Sequence, residues 1–230
     1  MNGKNLSPRL KKVSSLVPSG VRLADIGSDH AYLPINLVLN KRVNFAVAGE
    51  VAEGPFLNSK SEIQKSGLSE FIIARLGNGL EVIQNKDHLD AVSIAGMGGI
   101  LISNILEAGI EKLSGINYLV LQPNVGELEL RNWLQRNHFK IVEEHIVAED
   151  FHVYEMLLAV PGEMALTPSE LKFGPILMRK KSDLFIKKWN QELSRLSKIK
   201  EKLSGNADLK MQTKLKNIET EMQLIQEVLS

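Results

Sequence analysis

Val21-Arg22-Leu23-Ala24-Asp25-Ile26-Gly27-Ser28-Asp29-His30 (21–30) is a short aliphatic run that stops on Asp-x-Gly and gives way to helical spacing. A strand ending this way makes a nucleotide-binding turn, because glycine bends the chain sharply and lets the backbone approach a ligand. Outward from it, residues 45–51, 71–77, 89–96 and 118–123 read as further strands, rich in Val, Ile and Ala. Helical patterns lie between them at 55–66, closed by Gly67, and at 100–113, and one follows the fifth strand at 126–137. An amphipathic helix with Leu10, Val13, Leu16 and Val17 on one face comes first and ends at Pro18-Ser19-Gly20. Alternating elements predict a parallel sheet with helices on both faces, and uniformly apolar strands suit burial on both sides.

The end of this series differs. Residues 139–150 and 153–160 are two strand patterns with almost nothing between them. A parallel crossover needs a dozen or more residues, so these two predict an antiparallel hairpin. A hairpin closing the sheet after the fifth strand separates the methyltransferase version of this α/β, Rossmann-like architecture from the dehydrogenase version. From Thr167 the texture changes again. Thr167-Pro168-Ser169-Glu170 opens a helix, and Gly174-Pro175 interrupts it. Ile186, Trp189, Leu193, Leu196 and Leu203, then Met211, Leu215, Ile218, Met222, Ile225 and Leu229, recur at threes, fours and sevens around a break at Ser204-Gly205-Asn206. Two such stripes predict an antiparallel coiled-coil hairpin. The expected division is a catalytic domain over 1–166 and a helical domain over 167–230.

Composition narrows the functions. The chain has 230 residues, 43% hydrophobic and 24% charged, and no cysteine, which excludes disulfides, thiolate metal sites and cysteine nucleophiles. No apolar run approaches the roughly 18 residues of a membrane span, and the basic N-terminus lacks the apolar segment of a signal peptide. A cytoplasmic chain without a membrane contact is expected. The five histidines are scattered and predict no metal site. Net charge is +1, but residues 172–230 carry +6 and the remainder −5. The basic tail suits a polyanion or is a solvated Lys-rich surface.

The loop chemistry distinguishes two ligands. Gly-x-Gly-x-x-Gly is absent; Ser28, Asp29 and Ala31 stand where further glycines would seat a pyrophosphate on a helix N-terminus. Asp29 there repels phosphate but can bond the amino group of a methionine moiety. Glu50, 23 residues after Gly27 at the end of the second strand, can accept from both hydroxyls of an unmodified ribose. Leu76-Gly77-Asn78-Gly79-Leu80 and Ala95-Gly96-Met97-Gly98-Gly99 follow the third and fourth strands, and Gln122-Pro123-Asn124 ends the fifth. These turns suit adenine recognition, close approach of an acceptor base, and hydrogen bonding to the edge of that base. Each alone is also an ordinary turn. The combination favours S-adenosylmethionine over a dinucleotide.

The blocks D-I-G-S-D-H-A-Y-L-P (25–34), A-G-E-V (48–51), G-N-G-L (77–80), I-A-G-M-G-G (94–99) and L-Q-P-N (121–124), in this order, closely resemble the bacterial tRNA (adenine-22)-N1-methyltransferase family. The resemblance spans essentially the whole chain. It implies a tRNA partner, an S-adenosylmethionine cofactor leaving as S-adenosylhomocysteine, no metal, and methyl transfer to an adenosine N1 in the D-arm region. It implies cofactor contacts from Asp25, Gly27, Ser28, His30, Glu50, Val51, Asn78, Gly79, Gly96, Met97 and Gly98. Asn78 departs from the aspartate expected in much of the family, which predicts altered affinity. Asp29 and Asn124 are the candidates to accept from the exocyclic amine as the ring becomes cationic. Tyr32, Gln122 and Pro123 are expected against the base, and Lys180, Lys181, Lys187 and Lys188 on tRNA phosphates. A small-molecule methyltransferase and a non-catalytic RNA-binding module are the alternatives. The oligomeric state stays open, with a monomer favoured.

Overall fold

The structure, a computed structural model, describes residues 2–203 and 209–230. The expected break at Ser204-Gly205-Asn206 lies outside the described residues. The chain divides into two compact units, Met1–Ala165 and Leu166–Ser230.

The first unit begins with α1 (Pro8–Leu16), where Ser7 caps the helix by accepting from the Leu10 N–H and proline occupies the first turn. Five strands follow with their helices: β1 (Val21–Ile26), α2 (Tyr32–Leu39), β2 (Val43–Glu50), α3 (Glu53–Lys65), β3 (Ile72–Leu76), β4 (Ala91–Met97), α4 (Gly99–Ala108), β5 (Tyr118–Pro123) and α5 (Glu127–Arg136). Short 3-10 turns lie between β3 and β4, and another, Ile110–Leu113, follows α4. The helix expected over 100–113 therefore stops early, because Gly109 ends α4. A Cβ at Gly109 would crowd the Leu80 side chain. Finally β6 (Phe139–Glu149) and β7 (His152–Pro161) pair antiparallel across Asp150 and Phe151.

The seven strands form one sheet in the order β3-β2-β1-β4-β5-β7-β6. β1 to β5 are mutually parallel and β7 runs antiparallel to β5. The order reverses at β1, whose neighbours are β2 and β4, so the carboxyl ends of these strands form a crevice. Two apolar clusters cover the faces, one around Ile94, Leu106, Leu121 and Trp133, the other around Leu23, Leu37, Ala46 and Val120.

The second unit holds α6 (Pro168–Phe173), α7 (Leu177–Lys180), α8 (Asp183–Leu203) and α9 (Leu209–Leu229). Thr167 and Glu170 form the expected capping box of α6. α8 packs along α9, and Lys200 of α8 pairs with Glu219 of α9 at 2.8 Å. Trp189, Leu196, Ile218 and Ile225 of the expected stripes are buried, whereas Ile186 is exposed and Phe185 takes the buried place beside it. Trp189 meets Phe173 edge to face at 4.5 Å, which draws Phe185 into the same aromatic cluster.

Candidate active site

β1 delivers Asp25 to the crevice. Its side chain is 4% exposed, and each carboxylate oxygen accepts a hydroxyl, Ser28 Oγ at 2.6 Å on one side and Ser93 Oγ at 2.6 Å on the other. Burial, aided by the charge of Glu50, outweighs these bonds and pushes the pKa up to about 6. Gly27 turns the chain at φ +67°, and its N–H donates to Gly49 O at 2.9 Å. Asp29, His30 and Ala31 then follow in the left-handed region, at φ +37°, +63° and +55°. L-residues enter that region at a cost of roughly 1–2 kcal/mol each. Glu50, at the end of β2, fastens the strained turn by accepting the Asp29 N–H. Burial raises the pKa of Glu50 above its ordinary range, with that hydrogen bond opposing. Consecutive strained residues fastened by a buried acid point to a functional site.

β4 supplies the opposite wall. Gly96 sits at φ +83°, and the Arg9 guanidinium is 3.3 Å from where a Cβ would stand. Arg9 reaches the crevice from α1. Its backbone N–H donates to Glu149 Oε2 at 2.7 Å, its guanidinium donates to Gln122 Oε1, and Cζ lies 5.4 Å from the Tyr154 ring centroid. Arg9, Asp25, Gly27, Ser28, Asp29, Gly96 and Met97 line a cleft of about 230 Å³. A second hollow, of about 320 Å³, is lined by Asn78, Gly79, Leu101, Ile105 and Lys112 at the ends of β3 and α4.

Several expected ligand-binding residues therefore converge, and others do not. Asp29 projects outward, 77% exposed, with His30 Nε2 3.7 Å away. His30 stacks on Tyr32 at 5.1 Å, with the ring planes 10° apart. Val51 is exposed beside buried Glu50. Met97, one of the expected cofactor contacts, turns back on Gly27, where a Cβ would overlap its terminal methyl. Gln122 and Pro123, expected against a base, are both buried. Gln122 Oε1 accepts from Arg9 and from Gly96 N–H at 3.0 Å; its Nε2 donates to Pro123 O at 2.7 Å and Asn124 Oδ1 at 3.1 Å. With its amide committed to the protein, Gln122 positions its neighbours instead of reading a base. Asn124 is exposed and anchored, donating to Gly96 O at 2.8 Å.

The glycines of 96–99 also divide. Gly98 is open: among the described residues, only the Val125 side chain is within reach of a Cβ there. Gly99 is structural: its N–H donates to Val125 O at 2.7 Å, and a Cβ there would overlap the Gly126 carbonyl. Gly99→Ala is expected to destabilise the fold by about 1–3 kcal/mol, measured by urea unfolding. A loss within experimental error would show that the α4 start has room to move.

Arg9 and Ser93 were missed in the sequence. Ser93 carried a signal, a single hydroxyl inside the apolar run of β4; Arg9, beside Lys11 and Lys12 on an amphipathic helix, carried none. In the second unit Lys180, Lys181 and Lys187 are exposed, whereas Lys188 is half-buried with Nζ 5.3 Å from the Trp189 ring centroid.

A crevice at the strand switch point, lined by acids and lacking a phosphate cradle, narrows the families to compare. The family model described as tRNA (adenine(22)-N(1))-methyltransferase matches residues 23–227. The tRNA (adenine(22)-N(1))-methyltransferase of Bacillus subtilis (strain 168) is 44% identical over 237 residues, covering 100% of this chain and 99% of that protein. A Streptococcus pneumoniae crystal structure in complex with S-adenosyl-L-methionine superposes with a TM-score of 0.91 at 41% identity, covering 98% of this chain and 100% of that one. An M. capricolum structure in complex with S-adenosyl-homocysteine gives 0.87 at 31% identity, covering 97% of each. With matches that run the length of the sheet, the crevice and the helical unit, the chain belongs to the tRNA (adenine(22)-N(1))-methyltransferase family.

Proposed function

We propose that this chain is a cytoplasmic enzyme that transfers a methyl group from S-adenosylmethionine to N1 of adenosine 22 in tRNA. The observation that carries the reading is the acid-lined crevice at the ends of β1, β2 and β4, in a chain of this family. S-adenosylmethionine supplies a methyl group already activated on a sulfonium, and it bears an ammonium and no phosphate. Those features match Asp25, Asp29 and Glu50, which favour cations and ribose hydroxyls and would repel a pyrophosphate. Asp25 and the turn at Gly27 and Ser28 hold the methionine end. Glu50 takes the ribose. Asn78 and Gly79, which line the hollow at the end of β3, take the adenine with Val51, exposed next to Glu50.

The protein's own work is placement. Adenine N1 must lie in line with the methyl donor, about 3–3.5 Å away, and its lone pair is free only when the base is unpaired. Gly98 leaves room for a ring to approach. Asn124, held by Gly96 O and Gln122, offers an amide oxygen to the exocyclic amine as the ring becomes cationic. Asp29 is the second candidate for that role; loss of cofactor binding in Asp29→Ala would instead place it in the cofactor site. The direct test is transfer of labelled methyl from S-adenosylmethionine to tRNA transcripts carrying adenosine or guanosine at position 22. Transfer to the first and not the second is expected; equal transfer would contradict the position.

The helical unit, read as an antiparallel coiled-coil hairpin, provides a second contact through its lysines on tRNA phosphates. Reversing Lys180, Lys181 and Lys187 to glutamate is expected to weaken tRNA binding about tenfold or more. It should also flatten the salt dependence by about 0.7–0.9 in log–log slope for each phosphate no longer neutralised. S-adenosylmethionine affinity should not change. Unaltered tRNA affinity would remove these lysines from the interface.

A further inference from the structure

The β6–β7 hairpin is longer than the sheet it closes. β7 pairs with β5 only at residues 157–159, so residues 152–156 run on past that pairing, on the side where β1, β4 and β5 end. The tip is Asp150-Phe151, and Phe151 is 99% exposed. At that exposure the ring adds nothing to the packing of the described fold, and both its faces are free to take a flat partner.

The rings behind it lead inward. His152 and Tyr154 lie on one face of β7, with centroids 6.1 Å apart. Arg9 stands over Tyr154 at 5.4 Å, and the same guanidinium reaches Gln122 and Gly96 at the cleft. A series of flat groups thus joins the exposed tip to the place where the acceptor base must arrive. The tip's own charges are acidic: Glu149 is engaged with Arg9, and Asp150 is exposed beside Phe151. Acids repel phosphates but tolerate base faces. Aromatic rings without lysines suit unpaired bases, which stack on any ring.

We infer that this overhang is a stacking arm for tRNA, in which Phe151 takes the face of an unpaired base beside the target adenosine and His152 and Tyr154 guide the strand to the cleft. The inference rests on the proposed tRNA reading. Stacking of one base predicts that Phe151→Ala raises the KM for tRNA about tenfold, with kcat within about twofold and S-adenosylmethionine affinity unchanged. Phe151→Trp retains a ring and should keep the KM near that of the unaltered chain. Because Trp133 and Trp189 are buried, the indole introduced by Phe151→Trp has a separate, red-shifted emission. tRNA should quench it, and heparin, a polyanion without bases, should not. An unchanged KM in Phe151→Ala while the unaltered chain methylates tRNA overturns the arm and leaves the function standing. So does equal quenching by heparin, or self-association lost in Phe151→Ala with the KM unmoved, which would assign the ring to a protein contact. If the unaltered chain methylates no tRNA, the functional reading fails, and quenching, which needs no turnover, still decides whether bases stack on the arm.

Discussion

Arg131→Met is expected to destabilise the first unit by about 3–5 kcal/mol, the cost of leaving buried charge without its partner. Arg131 is on α5 and is 1% exposed; Nε donates to Glu144 Oε1 at 2.8 Å and Nη2 to Glu155 Oε2 at 2.6 Å. Glu144 on β6 and Glu155 on β7 are themselves almost fully buried. Burial alone would lower the arginine pKa, but the two carboxylates outweigh it and raise it. Without the guanidinium, two carboxylates remain inside the protein close to one another, and at least one must take a proton. The deficit should therefore be largest at pH 7 and smaller at pH 5. Adding Glu144→Gln and Glu155→Gln should recover part of it. Urea unfolding at the two pH values measures this, and a loss below about 1 kcal/mol would show that the triad does not fasten α5 to the hairpin.

Asp25→Asn should move stability and binding in opposite directions. The folded-state pKa of Asp25 is raised from 3.8 to about 6 by burial. A raised pKa means that its favourable contribution is complete below about pH 4 and is lost as pH rises through about 6. At pH 7 the ionised carboxylate costs the fold on the order of 2–3 kcal/mol. The asparagine variant, without cofactor, should melt at a higher temperature than the unaltered chain at pH 7 and at about the same temperature at pH 4. It should bind S-adenosylmethionine on the order of 10–100-fold more weakly, since the crevice loses a charge that suits a cation. Calorimetric titration and thermal unfolding at both pH values check the two halves. Unweakened binding would confine Asp25 to holding Ser28 and Ser93.

The first unit was legible because its strands are apolar runs and its turns carry Gly, Pro and Asn where the chain reverses. The junction of β6 and β7 was legible because two residues cannot make a crossover. Gly109 was the miss in α4, since a glycine inside a helical pattern reads equally as tolerated or as a stop until Leu80 is seen against it. Phe185 was missed because the heptad count chose Ile186, and only the aromatic cluster with Phe173 and Trp189 decides between neighbours. At the site, Asp25, Gly27 and Glu50 were readable from strand ends and spacing. Gln122 was misplaced because an amide after a strand gives no sign of which way it points. Arg9 lies 113 residues from Gln122 and 140 from Glu149 in the chain, and no local pattern reports such a pairing. Glu155, an acid directly before Met156-Leu157-Leu158, was the one readable sign of the buried triad.

The most direct test of the function is nucleoside mass spectrometry of unmodified bacterial tRNA after incubation with this protein and S-adenosylmethionine, with Glu50→Ala as the control. The predicted result is 1-methyladenosine, mapped to position 22 and absent with the control. No methylated nucleoside, from protein shown to bind S-adenosylmethionine, would contradict tRNA as the acceptor.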